Sequence, residues 1–264
     1  MQESRNLRNE NRISKSFFRI LIIAGLIFVY VFSKNSNVKI SDTSLAPTPT
    51  LISEENSDII NINGYNFYLT ELEYSSVKLI YNLNSKAHST DREDLEDCKY
   101  ISSTFFYDKN NRALGLIKIG KNQLSPDRKN NVLNAYIKTT DQNLFIDDGN
   151  EFTNNPDIVF QSGPLVKLKG VYQNINNVLD ENARRVLIAK SNEKSFLILL
   201  VDPNNLFSGP KFSELKDVLK SFEKMENITF DSIANLDGGS ASVYKNQENY
   251  FTEYSTVGGF LCFE

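Results

Sequence analysis

The chain has 264 residues, with 29 Lys and Arg against 33 Asp and Glu, a formal net charge of −4, one His and two Cys. A balanced, slightly acidic chain has no global attraction for nucleic acid, and one His with two Cys cannot build a zinc finger, a His-rich zinc enzyme or an iron–sulfur cluster. Hydrophobic residues make up 40%, with 18 Phe and 12 Tyr, enough for a core and against wholesale disorder.

Residues 1–16 are basic, with Arg5, Arg8, Arg12 and Lys15 against Glu3 and Glu10. The apolar run Phe17–Phe32 is interrupted only by Arg19, which can snorkel to an interface. The pattern predicts a signal anchor and transmembrane helix over 17–33, with the basic end cytoplasmic and the bulk of the chain extracytoplasmic, periplasmic or at the cell surface. A cleaved signal is the alternative, but the bulky Val29–Phe32 offers no small-residue cleavage site. Ser, Thr, Asn and Pro dominate 34–57, which reads as a flexible linker. One globular domain is then expected over 58–264.

Within that domain, apolar clusters at Phe67–Leu69, Val77–Tyr81, Tyr100–Tyr107, Leu114–Ile119, Asn143–Ile146, Asp157–Phe160 and Leu165–Lys169 alternate with Asn-, Asp- and Gly-rich turns. This spacing predicts short antiparallel strands. Val186–Ala189 and Phe196–Val201 are continuous apolar runs, the pattern of strands covered on both faces. Phe212, Leu215, Val218, Leu219, Phe222 and Met225 fall at helical spacing. Strands follow at Ile233–Leu236, Ser242–Tyr244 and Gly259–Phe263. The expected class is mixed α+β, mainly β, in a single globular domain behind the transmembrane segment. Cys98 and Cys262 lie outside the cytoplasm on this topology; a disulfide and two buried thiols both remain open. His88 reads as a solvated loop residue, so no Ser-His-Asp triad can form.

Three segments concentrate site chemistry. Gln161-Ser162-Gly163-Pro164 ends an apolar strand, with neutral hydrogen-bonding groups and a glycine that admits close backbone approach. Arg184-Arg185 opens a buried strand, where a guanidinium can present a planar fork to a phosphate or carboxylate. Asn235-Leu236-Asp237-Gly238-Gly239-Ser240-Ala241-Ser242 sets an acid at a strand end before two glycines and two hydroxyls. Each alone has a simpler reading as a turn or a surface ion pair.

In this order, with FLILLVD at 196–202 and the helix between, these segments resemble the phosphodiester glycosidase domain family, of the uncovering-enzyme type, and especially its shorter bacterial exopolysaccharide-biosynthesis-like branch of unknown function. The resemblance spans roughly 65–264. It implies a hydrolase that cleaves a sugar–phosphate bond in a sugar phosphodiester or cell-envelope glycan, which the N-terminal pattern would make membrane-anchored and extracytoplasmic. Asp237 and Arg185 would be catalytic; Gln161, Ser162, Gly163, Gly238, Gly239, Ser240 and Ser242 would bind substrate. The motifs require no cofactor, although Asp237 could instead coordinate a divalent cation such as Ca²⁺. The family's Asn-Gly-Gly-Phe-Phe strand is Ser102-Ser103-Thr104-Phe105-Phe106 here, losing an amide and bare backbone space. That departure favours the alternative, a catalytically inactive glycan-binding or envelope-polysaccharide assembly protein on the same fold.

Overall fold

A computed structural model describes residues 59–140, 143–150, 156–176, 178–192 and 194–264. The basic segment, the anchor expected over 17–33 and the linker expected over 34–57 lie outside these. Among the described residues no helix is long and apolar enough to cross a membrane.

The mixed α+β expectation is corrected. Among the described residues there are seventeen strands and one α-helix, Phe212–Met225, beside three short 3₁₀ turns. Every strand pairing is antiparallel. The described residues are therefore mostly β, in three antiparallel sheets. The reason lies in the patterning: in one segment alone do apolar residues recur at a period near 3.6, and elsewhere they alternate or run continuously. Sequence patterning missed the strand Ala135–Thr140, whose centre is interrupted by Lys138. That lysine is 3% exposed and is held by Asp147 at 2.6 Å, so a charge stands on a buried strand.

The seven-stranded sheet has Lys194–Val201, Arg185–Ser191 and Ser232–Asn235 as its central strands. Their side chains divide by parity. Leu187, Ala189, Ile198, Leu200 and Ile233 join a core with Leu215, Val218, Leu219 and Phe222 of the helix. Val186, Ile188, Leu197, Leu199 and Ala234 instead join a core with Ile137 and Phe160 of a second sheet and Leu261 and Phe263 of a third. The sheet is thus covered on both faces, which accounts for its unbroken apolar runs.

The helix stripe contributes on the order of 1.5–3 kcal/mol per buried side chain. Phe222 stacks on Phe67 with ring centroids 4.8 Å apart. Glu223 adds a polar tie: its carboxylate accepts from Lys167 Nζ at 2.6 Å, Tyr172 Oη at 2.7 Å and the Phe230 N–H at 2.8 Å. On the opposite side of the fold, Cys98 and Cys262 form a disulfide, with Cα atoms 5.4 Å apart. Cys262 lies on Gly259–Phe263, which pairs with Tyr100–Ser103.

Candidate active site

The three motifs meet because antiparallel register brings strand starts against strand ends. Leu187 pairs with Asn235 and Leu165 with Ala234. The end of Ser232–Asn235 therefore lies between the start of Arg185–Ser191 and the start of Leu165–Leu168. Backbone bonds carry the contact past the strands: Asn235 N donates to Pro164 O at 3.1 Å, Leu236 N to Val186 O at 2.9 Å and Gly239 N to Arg184 O at 2.8 Å. Continuing the register sets Arg185 across from Asp237, on the helix side of the sheet.

A cavity of ≈ 350 Å³ opens there. Asp237, Arg185, Gly163, Gly238, Gly239 and Ser240 all line it. Two glycines are sterically required. At Gly163, φ is +145° and a Cβ would run into the Val132 carbonyl oxygen; at Gly238 a Cβ would stand 2.8 Å from the Arg184 carbonyl oxygen.

Asp237 is 7% exposed, and its Oδ1 accepts the Gly238 N–H at 3.1 Å. Burial pushes its carboxyl well above the usual carboxylate range, against a smaller opposing effect of that N–H. Its backbone is fixed from a neighbouring sheet, with N donating to Thr104 O at 3.1 Å and O accepting from Ser103 Oγ at 2.6 Å. Arg185 donates from Nε to Pro210 O at 3.0 Å and from Nη2 to Glu181 O at 2.7 Å, and its guanidinium lies 3.8 Å over the Phe212 ring. Burial lowers its pKa to about 10, so it remains a cation at neutral pH.

Gln161, Ser162 and Ser242 stand behind the cavity. All three are fully buried. Gln161 Oε1 accepts from the Leu116 and Arg128 N–H groups, and Nε2 donates to Leu133 O at 3.3 Å. Ser162 Oγ donates to Thr104 O at 3.0 Å. Ser242 Oγ donates to Gly239 O at 2.6 Å and accepts from Arg184 Nε at 2.7 Å. Arg184 lies on the opposite strand face from Arg185. It is wholly buried, donates to the Ser242 and Thr252 carbonyls, and locks the turn after Asp237.

The Ser102–Thr104 departure is likewise behind the site. All three residues are 0% exposed and act through the Thr104 carbonyl and Ser103 hydroxyl, while Phe106 reaches the cavity. His88, read as a solvated loop residue, faces buried Glu253 with Nδ1 3.7 Å from Oε1 and does not line the cavity. Among the described residues no three His, Cys, Asp or Glu side chains group as a metal site.

No protein-family model and no curated protein sequence matches the chain. Among solved structures, it is similar to the catalytic domain of zebrafish N-acetylglucosamine-1-phosphodiester alpha-N-acetylglucosaminidase, auto-inhibited by its pro-peptide. The TM-score is 0.52 at 14% identity, covering 82% of this chain and 87% of that one. The two share a fold. A hypothetical protein from Synechocystis is similar at TM-score 0.50 and 12% identity, over 82% of this chain and 64% of that one.

One cavity residue belongs to the third motif but has no role assigned by the sequence. Asn235 is 1% exposed and donates from Nδ2 to Gly163 O at 2.9 Å and Leu236 O at 2.7 Å, while Oδ1 has no hydrogen-bond partner. The available signal was period-2 alternation, since a residue two before Asp237 on a strand shares its face. Glu181 and Phe212 also line the cavity; both come from segments whose approach to the strand ends is set by tertiary packing.

Proposed function

We propose that the chain is a hydrolase that cleaves the bond between a sugar's anomeric carbon and a phosphate in a sugar phosphodiester. The observation that carries this reading is the meeting in one cavity of a buried carboxyl, Asp237, whose pKa burial raises, with a buried, stacked guanidinium, Arg185, opposite it in the strand register. Likeness of fold to a phosphodiester glycosidase is consistent with it, although fold alone does not carry activity.

A phosphate is a weakly basic leaving group, so the site needs modest acid help and strong anion stabilisation. Arg185 neutralises the phosphate, its plane held by Phe212 and two backbone carbonyls. Asp237 gives its proton to the bridging oxygen as the C1–O bond breaks and the bonding pair leaves with the phosphate monoester. Water adds at C1, and its proton passes to Glu181, the other carboxylate on the cavity, and then restores Asp237 through solvent. The products are free sugar and a phosphate monoester. A buried acid and an exposed carboxylate lining one cavity divide the labour that two carboxylates share in glycoside chemistry. Asn235 holds the Gly163 and Leu236 carbonyls at the cavity wall. Gln161, Ser162 and Ser242 hold the loops that shape the cavity. The Cys98–Cys262 disulfide suits an oxidising compartment, and the place of action we propose is extracytoplasmic.

The test is release of free sugar from UDP-N-acetylglucosamine and from a methyl diester of N-acetylglucosamine 1-phosphate. Wild type should release sugar, and Asp237→Asn should lose about 10²–10³ in rate. Saturable binding without release by wild type would replace the enzyme with a glycan-binding module on this fold.

A further inference from the structure

The cavity lining divides by chemistry. Asp237, Asn235, Arg185 and Ser240 gather where the strands end, while Phe106, Val132, Pro164, Val178, Leu179 and Phe212 are apolar. Leu179 is the telling residue. At 73% exposure it is the most exposed large apolar side chain among the described residues, and it lines this cavity rather than a remote surface.

The segment that presents it is tied down. Asp180 Oδ1 accepts the Ser213 N–H at 3.0 Å from the start of the helix, and Glu181 O accepts Arg185 Nη2 at 2.7 Å. Leu179 is thus held in water at the mouth of the site by bonds on the residues that follow it, next to half-buried Val178. Sugar hydroxyls and phosphate oxygens gain nothing from such a surface; an apolar group gains roughly 0.8 kcal/mol per buried methylene, about fourfold in affinity. Continuity with the polar cluster means one ligand can cover both parts.

Resting on the phosphodiester reading above, we infer that the substrate is amphiphilic: a sugar 1-phosphate esterified to an apolar alcohol, with the sugar and phosphate on Asp237, Asn235 and Arg185, and the alkyl or aryl aglycone on Leu179, Val178 and Phe106. Leu179 is then a specificity residue for the aglycone and has no part in bond cleavage.

The experiment measures equilibrium binding of the methyl and n-butyl diesters of N-acetylglucosamine 1-phosphate to the full-length chain by calorimetry, beside release of free sugar from each. The butyl ester should bind tenfold or more tighter than the methyl ester. Leu179→Ser should bring the two within about threefold of each other, with an unchanged thermal midpoint showing that the fold is intact. Equal affinities in wild type, or a butyl preference that survives Leu179→Ser, overturns the inference whether or not sugar is released. A change in sedimentation coefficient on Leu179→Ser with the ester preference unmoved also overturns it, and assigns the residue to a contact between copies. Butyl preference without sugar release from either ester sustains the amphiphile reading and sinks the hydrolase alone.

Discussion

Reducing the Cys98–Cys262 bridge while leaving both sulfurs in place isolates its effect on the unfolded chain. Cys98 is 3% and Cys262 0% exposed, packed with Leu95, Ile101, Val243, Val257 and Phe260, so reduction changes native packing little. The sequence separation is 164 residues. In the chain-entropy description, releasing a loop of that length frees about 5 kcal/mol of unfolded-state entropy, near the upper end of what native disulfides contribute. With a urea dependence of about 2–3 kcal/mol per molar, the unfolding midpoint should fall by roughly 1.5–2.5 M. Urea unfolding with and without a phosphine reductant reads this directly, with mass spectrometry counting thiols in each sample. Coincident midpoints for samples shown to be bridged and reduced would refute the reasoning, as would two free thiols in the untreated protein. The effect should reach the site, because the strand bearing Cys262 pairs with Tyr100–Ser103, and the next residue, Thr104, holds the Asp237 backbone.

Breaking the Lys167–Glu223 pair by Glu223→Ala should cost about 3–5 kcal/mol, since the lysine side chain is only 4% exposed and would be left buried without its partner carboxylate; urea unfolding measures it, and a loss under 1 kcal/mol would contradict the burial. Gly163→Ala should destabilise by about 2–4 kcal/mol, read as a lowered thermal midpoint, because the new Cβ meets the Val132 carbonyl at a φ that side chains avoid. For Asp237 the folded pKa lies above the unfolded one, so the unfolded state ionises first as pH rises, and stability falls through the interval between the two values. Asp237→Asn removes that penalty, so its thermal midpoint relative to wild type should rise between pH 4 and pH 7.5; a constant difference would mean Asp237 is ionised in the fold. Arg185→Lys should raise KM more than it lowers kcat, because the charge stays while the stacked fork on Phe212 is lost; steady-state kinetics on the methyl diester separates the two.

Much of the architecture could be read from one-dimensional pattern. Val186–Ala189 and Phe196–Val201 are apolar at every position because both faces of their sheet are covered, and the helix from Phe212 to Met225 shows the one sustained period near 3.6. The strand Ala135–Thr140 was hidden because Lys138 reads as solvent-facing until Asp147 is seen across the pair. The site was half legible. Asp237, Arg185, Gly163, Gly238, Gly239 and Ser240 line the cavity, whereas Gln161, Ser162 and Ser242 belong to the same motifs yet turn into the frame.

What the sequence by itself determined is local: which segments form strands, where each strand ends, and that an acid, an arginine and glycines stand at those ends. Only the tertiary structure decided which neighbour faces the cavity. Arg185 and Asn235 do, and Arg184 does not, because strand register assigns alternate residues to opposite faces and the helix covers just one of them. It also decided that a carboxyl is buried and a leucine kept in water, since burial depends on what other segments bring to a residue.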